Sequence, residues 1–232
     1  MKNIEKFAIG TTILLLSSNA AAVDFNGYAA LTTDYVFRGV TYSDGNPAAQ
    51  LGADLSFDNG VFVGTWISSM DIESSSGYVR DIEINYYLGF GRQLCETWSA
   101  AVTAIAYTYP GGGSPIDYDY EEIALTLNYD DIVWLEYAFA PNLYGTDRDT
   151  QNIEVFAEWP LPWALTVGAG IGWYDLSELT NTDYSYWQAG MSRHVGIVDF
   201  DLRFHDTNRS VPFFSSDDRA AARIVLSVRF QF

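Results

Sequence analysis

The amino-acid sequence predicts an all-β protein: a closed antiparallel transmembrane β-barrel of about 12 strands that follows a cleaved signal peptide. Three observations predict this fold. Apolar and polar residues alternate with a period of two along most of the chain, the connections between these segments alternate between short and long, and the chain ends on an amphipathic strand closed by Phe232. Segments of this kind fit tilted strands that cross a bilayer.

The composition argues against several other classes of protein. The 232-residue chain is 48% hydrophobic and 16% aromatic, which is far too much for a disordered chain. A single cysteine, Cys95, excludes a disulfide scaffold, and no apolar run after residue 16 is long enough for a membrane helix. Thirty acidic residues against 12 basic ones give a net charge of −18, which repels phosphate and argues against nucleic acid as a partner.

Residues 1–22 are predicted to be a secretory signal peptide. Two lysines give a positively charged start, residues 7–16 form a short apolar core, and small alanines precede the predicted cleavage site before Val23. Residues 23–232 then form the barrel. Export of such a barrel predicts the outer membrane of a Gram-negative bacterium, with outer-membrane lipid and lipopolysaccharide as partners.

Twelve segments with period-two alternation are the predicted barrel strands. They are 25–37, 50–57, 61–71, 81–90, 97–109, 122–129, 133–139, 152–159, 163–173, 184–194, 198–205 and 224–232. Which residues of segment 61–71 face outward is left open, because the alternation there does not identify an apolar face. The last segment ends on Phe230 and Phe232, which resembles the assembly signal of outer-membrane barrels. The barrel-assembly machinery is therefore a predicted partner.

The connections support the same layout. Short turns alternate with longer segments, which are 38–46, 72–78, 110–117, 141–150, 175–183 and 207–220. Short turns on one side and long loops on the other are typical of outer-membrane barrels, and an even strand count places both termini on the periplasmic side.

An apolar face on every strand can be covered in two ways. A closed sheet turns it toward lipid and leaves no unpaired edge, whereas a soluble β-sandwich or lipocalin-like barrel buries it. Aromatic residues near strand ends favour the membrane alternative, because they fit interfacial girdles. These are Phe25, Tyr35, Tyr109, Tyr118, Tyr129, Trp159, Trp163, Trp173 and Trp187.

If the apolar residues of each strand face lipid, the residues that alternate with them line an enclosed lumen. The predicted lumen-lining charged residues are Asp34, Arg38, Asp54, Asp81, Glu83, Glu122, Glu136, Glu154, Glu158, Asp199, Asp201, Arg203, Arg223 and Arg229. Ten acids stand against four arginines in this set. Some are expected to pair: Arg223 and Arg229 with Asp199 and Asp201 on neighbouring strands, and Arg38 with Asp34 or Asp54.

The sequence is compatible with two functions. The acidic lumen predicts a porin that admits small solutes or ions passively and favours cations. The alternative is a plugged structural or surface-interaction barrel whose external loops carry the function, because charged runs are often only solvated faces. Twelve strands lie between a filled barrel and an open channel, so strand number does not decide. Assembly into a homo-oligomer is also left open.

A distinctive stretch begins at Leu31 and contains the run Asp34-Tyr-Val-Phe-Arg38-Gly39, followed by a Pro-Ala-Ala-Gln strand start ending at Gln50. It resembles the start of the proteobacterial TorF-type porin family, whose members are described as proteins of unknown function (Gcw_chp). The resemblance implies an exported outer-membrane barrel with a transport role, and it transfers no catalytic residues. Asp34, Arg38 and Gly39 are its signature, with an implied structural role in which Gly39 permits a turn and Arg38 pairs with a carboxylate.

No catalytic or metal-binding pattern is evident. The only histidines, His194 and His205, fall on different strands and are predicted at opposite membrane faces, which argues against a shared metal site. A hydrolytic Ser–His site with His205 and Ser210 is not predicted, because nothing in the sequence fixes the geometry of the pair. The sequence therefore predicts no enzyme activity, no metal and no cofactor.

Overall fold

The computed structural model describes residues 23–73, 79–111, 118–208 and 217–232. Within these residues the chain forms one closed barrel of 12 antiparallel strands and a separate two-stranded hairpin. In chain order the strands are β1 (Val23–Thr32), β2 (Val36–Phe37), β3 (Val40–Thr41), β4 (Ala48–Phe57), β5 (Val61–Glu73), β6 (Val79–Gln93), β7 (Trp98–Thr108), β8 (Tyr120–Tyr129), β9 (Val133–Ala140), β10 (Thr150–Leu161), β11 (Leu165–Leu176), β12 (Thr182–Val195), β13 (Val198–Thr207) and β14 (Arg223–Gln231). The predicted signal peptide, residues 1–22, lies outside the described residues.

Each barrel strand pairs with its neighbours in the chain, and β1 closes the sheet by pairing with both β4 and β14. The closure reaches the last residue: the Gly27 amide donates to the Phe232 carbonyl at 3.0 Å, and the Phe232 amide donates back at 2.9 Å. A closed sheet leaves no unpaired edge among its strands, as lipid requires.

Within residues 23–73, 79–111, 118–208 and 217–232, helical structure is confined to single turns in the loops. An α-helix, α1, spans Ser177–Thr180, and 3-10 turns span Leu143–Gly145 and Asp217–Ala220. Among the described residues, no helix has the length and apolar character needed to cross a membrane.

The predicted orientation of the two faces is confirmed by the exposure of adjacent side chains. On β6, Leu88 is 57% exposed, whereas its neighbour Tyr87 is only 7% exposed. On most other strands the large aliphatic residues likewise lie on the outside, and most of the charged residues with low exposure point inward. The soluble alternative is therefore wrong in its geometry, because a sandwich or a lipocalin-like barrel would bury the apolar face. On β5 the structure assigns the face that the sequence left open: Phe62, Trp66 and Met70 point inward.

One local irregularity changes a predicted site residue. The pairing of β5 with β6 shifts register between Ser69 and Ile72, so two residues of β5 lie opposite one residue of β6. The shift reverses the side-chain parity at the start of β6. As a result Arg80 is buried, and Asp81 is exposed instead of lining the lumen as predicted.

The segment after β1 departs most from the prediction. The predicted strand 25–37 ends at Thr32, and β2 and β3 form a small hairpin of their own. Its two turn residues, Arg38 and Gly39, have φ values of 48° and 80°, the left-handed pair that a type I′ hairpin turn requires. All residues from 34 to 43 are buried, and we call them the plug hairpin.

Three of the aromatic residues assigned to the membrane girdle pack against the interior instead, and one of these, Tyr118, contacts Tyr144 and the buried Arg80. Tyr35 and Tyr109 are 5% and 6% exposed and lie inside the barrel. They belong to the loop side of the interior, where a series of tyrosines packs around the plug hairpin.

Candidate functional site

The candidate site is the barrel lumen, which is rich in charged groups. Among the described residues, nine acids and six arginines lie buried or half-buried on inward positions. Thirteen of the 14 predicted residues are in this set, namely Asp34, Arg38, Asp54, Glu83, Glu122, Glu136, Glu154, Glu158, Asp199, Asp201, Arg203, Arg223 and Arg229. The sequence did not predict Arg80, because the bulge in β5 leaves no recognisable pattern in the sequence. It did not predict Arg219, because this residue lies in a loop outside the alternating segments.

The tip of the plug hairpin is held by a buried ion pair. The Arg38 Nη2 atom lies 2.9 Å from the Glu122 Oε1 atom on β8, and the two side chains are 6% and 2% exposed. The guanidinium carbon also lies 4.7 Å from the centroids of the Phe37 and Tyr174 rings. The Tyr184 hydroxyl donates to the Arg38 carbonyl at 2.9 Å. The tip is therefore bound to both sides of the barrel wall.

The base of the plug hairpin is organised by Asp34. One carboxylate oxygen lies 2.6 Å from Arg223 Nη1 on β14, and the other accepts hydrogen bonds from the Thr41 and Ser43 hydroxyls. The Arg219 guanidinium adds a hydrogen bond of 3.3 Å to the Thr41 carbonyl. Asp34 thus ties the start of the hairpin to its end and to the wall.

Tyrosines fill much of the space around the hairpin. Tyr107 and Tyr120 stack with ring centroids 4.4 Å apart, and Tyr144 packs edge-on against Tyr120 at 5.1 Å. The hydroxyls of Tyr42 and Tyr144 lie 3.1 Å apart. Burial raises the pKa of both phenols above the ordinary value, so each remains a neutral hydrogen-bonding group at physiological pH.

Several predicted ion-pair partners are wrong. Arg38 pairs with Glu122 across the lumen, not with Asp34 or Asp54, because the hairpin carries it away from β1 and β4. Asp201 pairs with Arg203 of its own strand, and the Arg203 Nη2 atom lies 2.9 Å from the Asp201 Oδ2 atom. The Asp199 Oδ1 atom lies 2.7 Å from the His194 Nδ1 atom at the turn between β12 and β13. Asp199 also lies directly opposite Arg229 in the pairing of β13 with β14, so the pairing of Asp199 with Arg229 stays a prediction.

The remaining inward acids are bound mainly by neutral groups. Tyr87 donates to Asp54, Tyr35 donates to Glu83 at 3.1 Å, and Tyr186 donates to Glu154 at 2.8 Å. These contacts satisfy the carboxylates without cancelling their charge. The lumen therefore keeps an excess of three acids over arginines among the described residues.

A cavity of about 100 Å³ remains beside the plug hairpin. Its walls are inward residues of β1, β4, β5, β6, β7, β13 and β14, together with the hairpin. Two of the predicted acids, Asp34 and Asp201, and two of the predicted arginines, Arg203 and Arg229, face it.

In the described part of the chain, no three His, Cys, Asp or Glu residues are placed to hold a metal ion. His194 lies on β12 beside the turn to β13, and His205 is buried near the loop-side end of β13, so the two histidines are on different strands and at opposite ends of the barrel wall, as predicted.

A closed antiparallel barrel with an apolar exterior, a polar lumen and a loop folded inside has the fold of outer-membrane porins. Over residues 17–231 the chain matches the model of a family described as "Bacterial protein of unknown function (Gcw_chp)", and it belongs to this family. The resemblance to Gcw_chp proteins is thereby confirmed; the finer TorF-type label is not tested by this match.

Solved structures with the same fold include two porins. The NanC porin is similar with a TM-score of 0.58 and 7% identity, covering 90% of this chain and 99% of that chain. The KdgM porin is similar with a TM-score of 0.56 and 9% identity, covering 90% and 99%. No curated protein matches the sequence. At such identities the likeness concerns the fold alone.

Proposed function

We propose that the protein is an outer-membrane channel that admits small solutes passively and favours cations, with the plug hairpin holding the lumen closed in the conformation described here. The observation that carries the proposal is the acid excess of the lumen, nine carboxylates against six arginines among the described residues. Rings of acidic side chains favour cations over anions in a pore.

The electrostatic reason is the enclosure of the charges. A lumen surrounded by lipid has low-dielectric walls, which focus the field of the uncompensated carboxylates along the pore axis. Glu136 and Glu154 lie there without an arginine within ion-pair distance among the described residues, so no arginine competes with a passing cation for their oxygens. The same excess argues against acidic sugars such as the oligogalacturonate found with the KdgM porin, which need basic tracks.

The plug hairpin gives the channel a closed state. Its contacts with the wall include two ion pairs and several hydrogen bonds, and water can replace such contacts when the hairpin moves. The hairpin is short and joined to the wall strands at both ends, so its release would open the loop side of the lumen without unpairing the barrel.

Conductance measurements test this function. Purified protein in planar bilayers is expected to give discrete conductance steps. In a salt gradient, the reversal potential is expected to shift toward the equilibrium potential of the cation. A variant with residues 36–41 replaced by a short Gly-Ser linker should have a higher open fraction and a larger conductance than the wild type. Anion preference in both proteins would contradict the proposal.

A second function is favoured by the burial of the hairpin. All residues from 34 to 43 are buried, which also suits a permanently plugged barrel whose external loops bind cell-surface or lipopolysaccharide partners. In that case the wild-type protein stays silent in bilayers while the linker variant conducts. Shortening the loop at 141–149 would then change binding to lipopolysaccharide without changing solute uptake.

The location and assembly follow from the same proposal. The signal peptide at residues 1–22 exports the chain, and the exposed aromatic end at Phe230 and Phe232 is offered to the barrel-assembly machinery. Phe232 is 72% exposed, so its ring is accessible to a partner. Replacing Phe232 by Ala should slow insertion in cells more than it slows folding into detergent micelles.

A further inference from the structure

The cavity beside the plug hairpin has the features of a binding site for a solute. It is lined by five aromatic rings from β1, the hairpin, β5 and β7, and by polar groups of β4, β13 and β14. Its volume of about 100 Å³ is several times the roughly 10–15 Å³ that a cavity needs to hold a single water.

One wall residue points to a ligand. His205 lines the cavity, is only 4% exposed, and forms no hydrogen bond with the described residues. A buried polar ring that has no hydrogen-bond partner among the described residues is free to bind a group that enters the cavity, in place of water. An imidazole ring can offer one donor and one acceptor, which is the pair of contacts that a hydroxyl group can satisfy.

The charged groups of the cavity wall already have partners. Asp34 is bound to Arg223 at 2.6 Å, and Asp201 is bound to Arg203 at 2.9 Å. Arg229 lies over the Tyr28 ring at 4.2 Å from its centroid. A charged solute would have to enter without an unpaired counter-charge, and burying an uncompensated charge is strongly unfavourable. The wall therefore disfavours both cations and anions as bound ligands.

The neutral groups suit a compact hydroxylated molecule. The Ser227 hydroxyl donates to Thr32 at 2.9 Å and keeps its lone pairs for a ligand, and the Gln50 amide also lines the cavity. The Trp66 and Tyr28 rings offer apolar surface to a carbon chain. The available volume holds several waters, which a small polyol can replace.

We infer that the cavity beside the plug hairpin is a binding site for a small uncharged polyol, in contact with His205 and Ser227. The inference names a solute class for the proposed channel and rests on that proposal only for how the solute reaches the cavity. Cations pass along the carboxylates at other positions of the lumen, so a neutral binding site and a cation preference are compatible.

Ligand binding can be measured without any transport. Saturation-transfer NMR on the full protein in deuterated detergent micelles would use glycerol as the probe, with lactate and 1-amino-2-propanol as charged probes of similar size. Ala30→Leu fills the cavity from β1, and Ala29→Leu is its matched control, because Ala29 lies on the outward face of the same strand. Folding of each variant is checked by its heat-modifiable mobility in electrophoresis.

A second pair of variants removes the hydrogen bond instead of the space. His205→Leu keeps most of the ring volume, and His194→Leu is the control at the exposed turn end of β12. We expect glycerol to bind to the wild type and to both controls, and Ala30→Leu and His205→Leu to bind it about tenfold more weakly or not at all, a change of about 1.4 kcal/mol.

The inference is overturned if glycerol shows no transfer, if a charged probe binds better than glycerol, or if Ala30→Leu and Ala29→Leu behave alike. These outcomes are separate from the channel proposal. Glycerol binding without ion conductance keeps the site and removes the channel, whereas cation conductance without glycerol binding removes the site and keeps the channel.

Discussion

Replacing Glu122 by Gln should release the plug hairpin. The substitution removes the negative partner of Arg38, whose guanidinium is then buried without a counter-charge. Its contacts with the Phe37 and Tyr174 rings, at 4.7 Å each, remain and are weaker than the ion pair that is lost. The closed conformation is therefore destabilised, while a released hairpin can place Arg38 in water.

The size of the effect follows from the burial of the pair. Removing one member of a buried ion pair costs roughly 3–5 kcal/mol. The amide oxygen of Gln still accepts a hydrogen bond, which offsets about 1 kcal/mol. A net loss of about 2–4 kcal/mol remains, and its lower end alone would raise the ratio of open to closed channels by about 30-fold.

Single-channel recording in planar bilayers measures this ratio directly as the open fraction. Glu121→Gln is the matched control, because the neighbouring carboxylate is exposed on the outside of the barrel. Glu122→Gln should raise the open fraction by more than an order of magnitude, and adding Arg38→Gln should return it toward wild type. An open fraction equal to that of Glu121→Gln would refute the role of the ion pair.

Three further substitutions have defined outcomes. Gly39→Ala should also raise the open fraction, because a side chain at φ 80° costs about 1–2 kcal/mol and its Cβ would lie 2.6 Å from Tyr186 Cβ. Gly172→Ala should lower the unfolding temperature in heat-mobility assays, because the Cβ would overlap the same tyrosine ring, whereas Gly91→Ala, with its nearest atom at 3.6 Å, should not. Glu136→Gln should reduce the cation-to-anion permeability ratio in bilayers; an unchanged ratio would place the selectivity elsewhere.

The wall of the barrel was predictable because its signal is local. Along β6, Ile84, Tyr86 and Leu88 face outward, and their neighbours face inward with a period of two, as the sequence indicates. The strand order is also local, since each strand pairs with the next. Predicting the strand order of the barrel therefore requires only one long-range pairing, that of β1 with β14.

The interior was harder to predict because its contacts cross the barrel. Residues 34–37 continue the apolar alternation of β1, so nothing local shows that the chain turns inward after Thr32. Arg38 finds Glu122, which is 84 positions away in the chain and on a strand that is not adjacent to β1. Asp81 was misplaced for a different reason: a single extra residue in β5 reverses the facing of the strand end.

The central claim is that alternate residues of each strand face lipid and an enclosed lumen. Spin labels placed singly along β6 from Ile84 to Phe90, in a Cys95→Ser background in liposomes, test it by their accessibility to oxygen and to a polar nickel reagent. We predict high oxygen accessibility at 84, 86, 88 and 90, and low oxygen accessibility at 85, 87 and 89. Equal accessibility at consecutive positions, or a reversed pattern, would contradict the account.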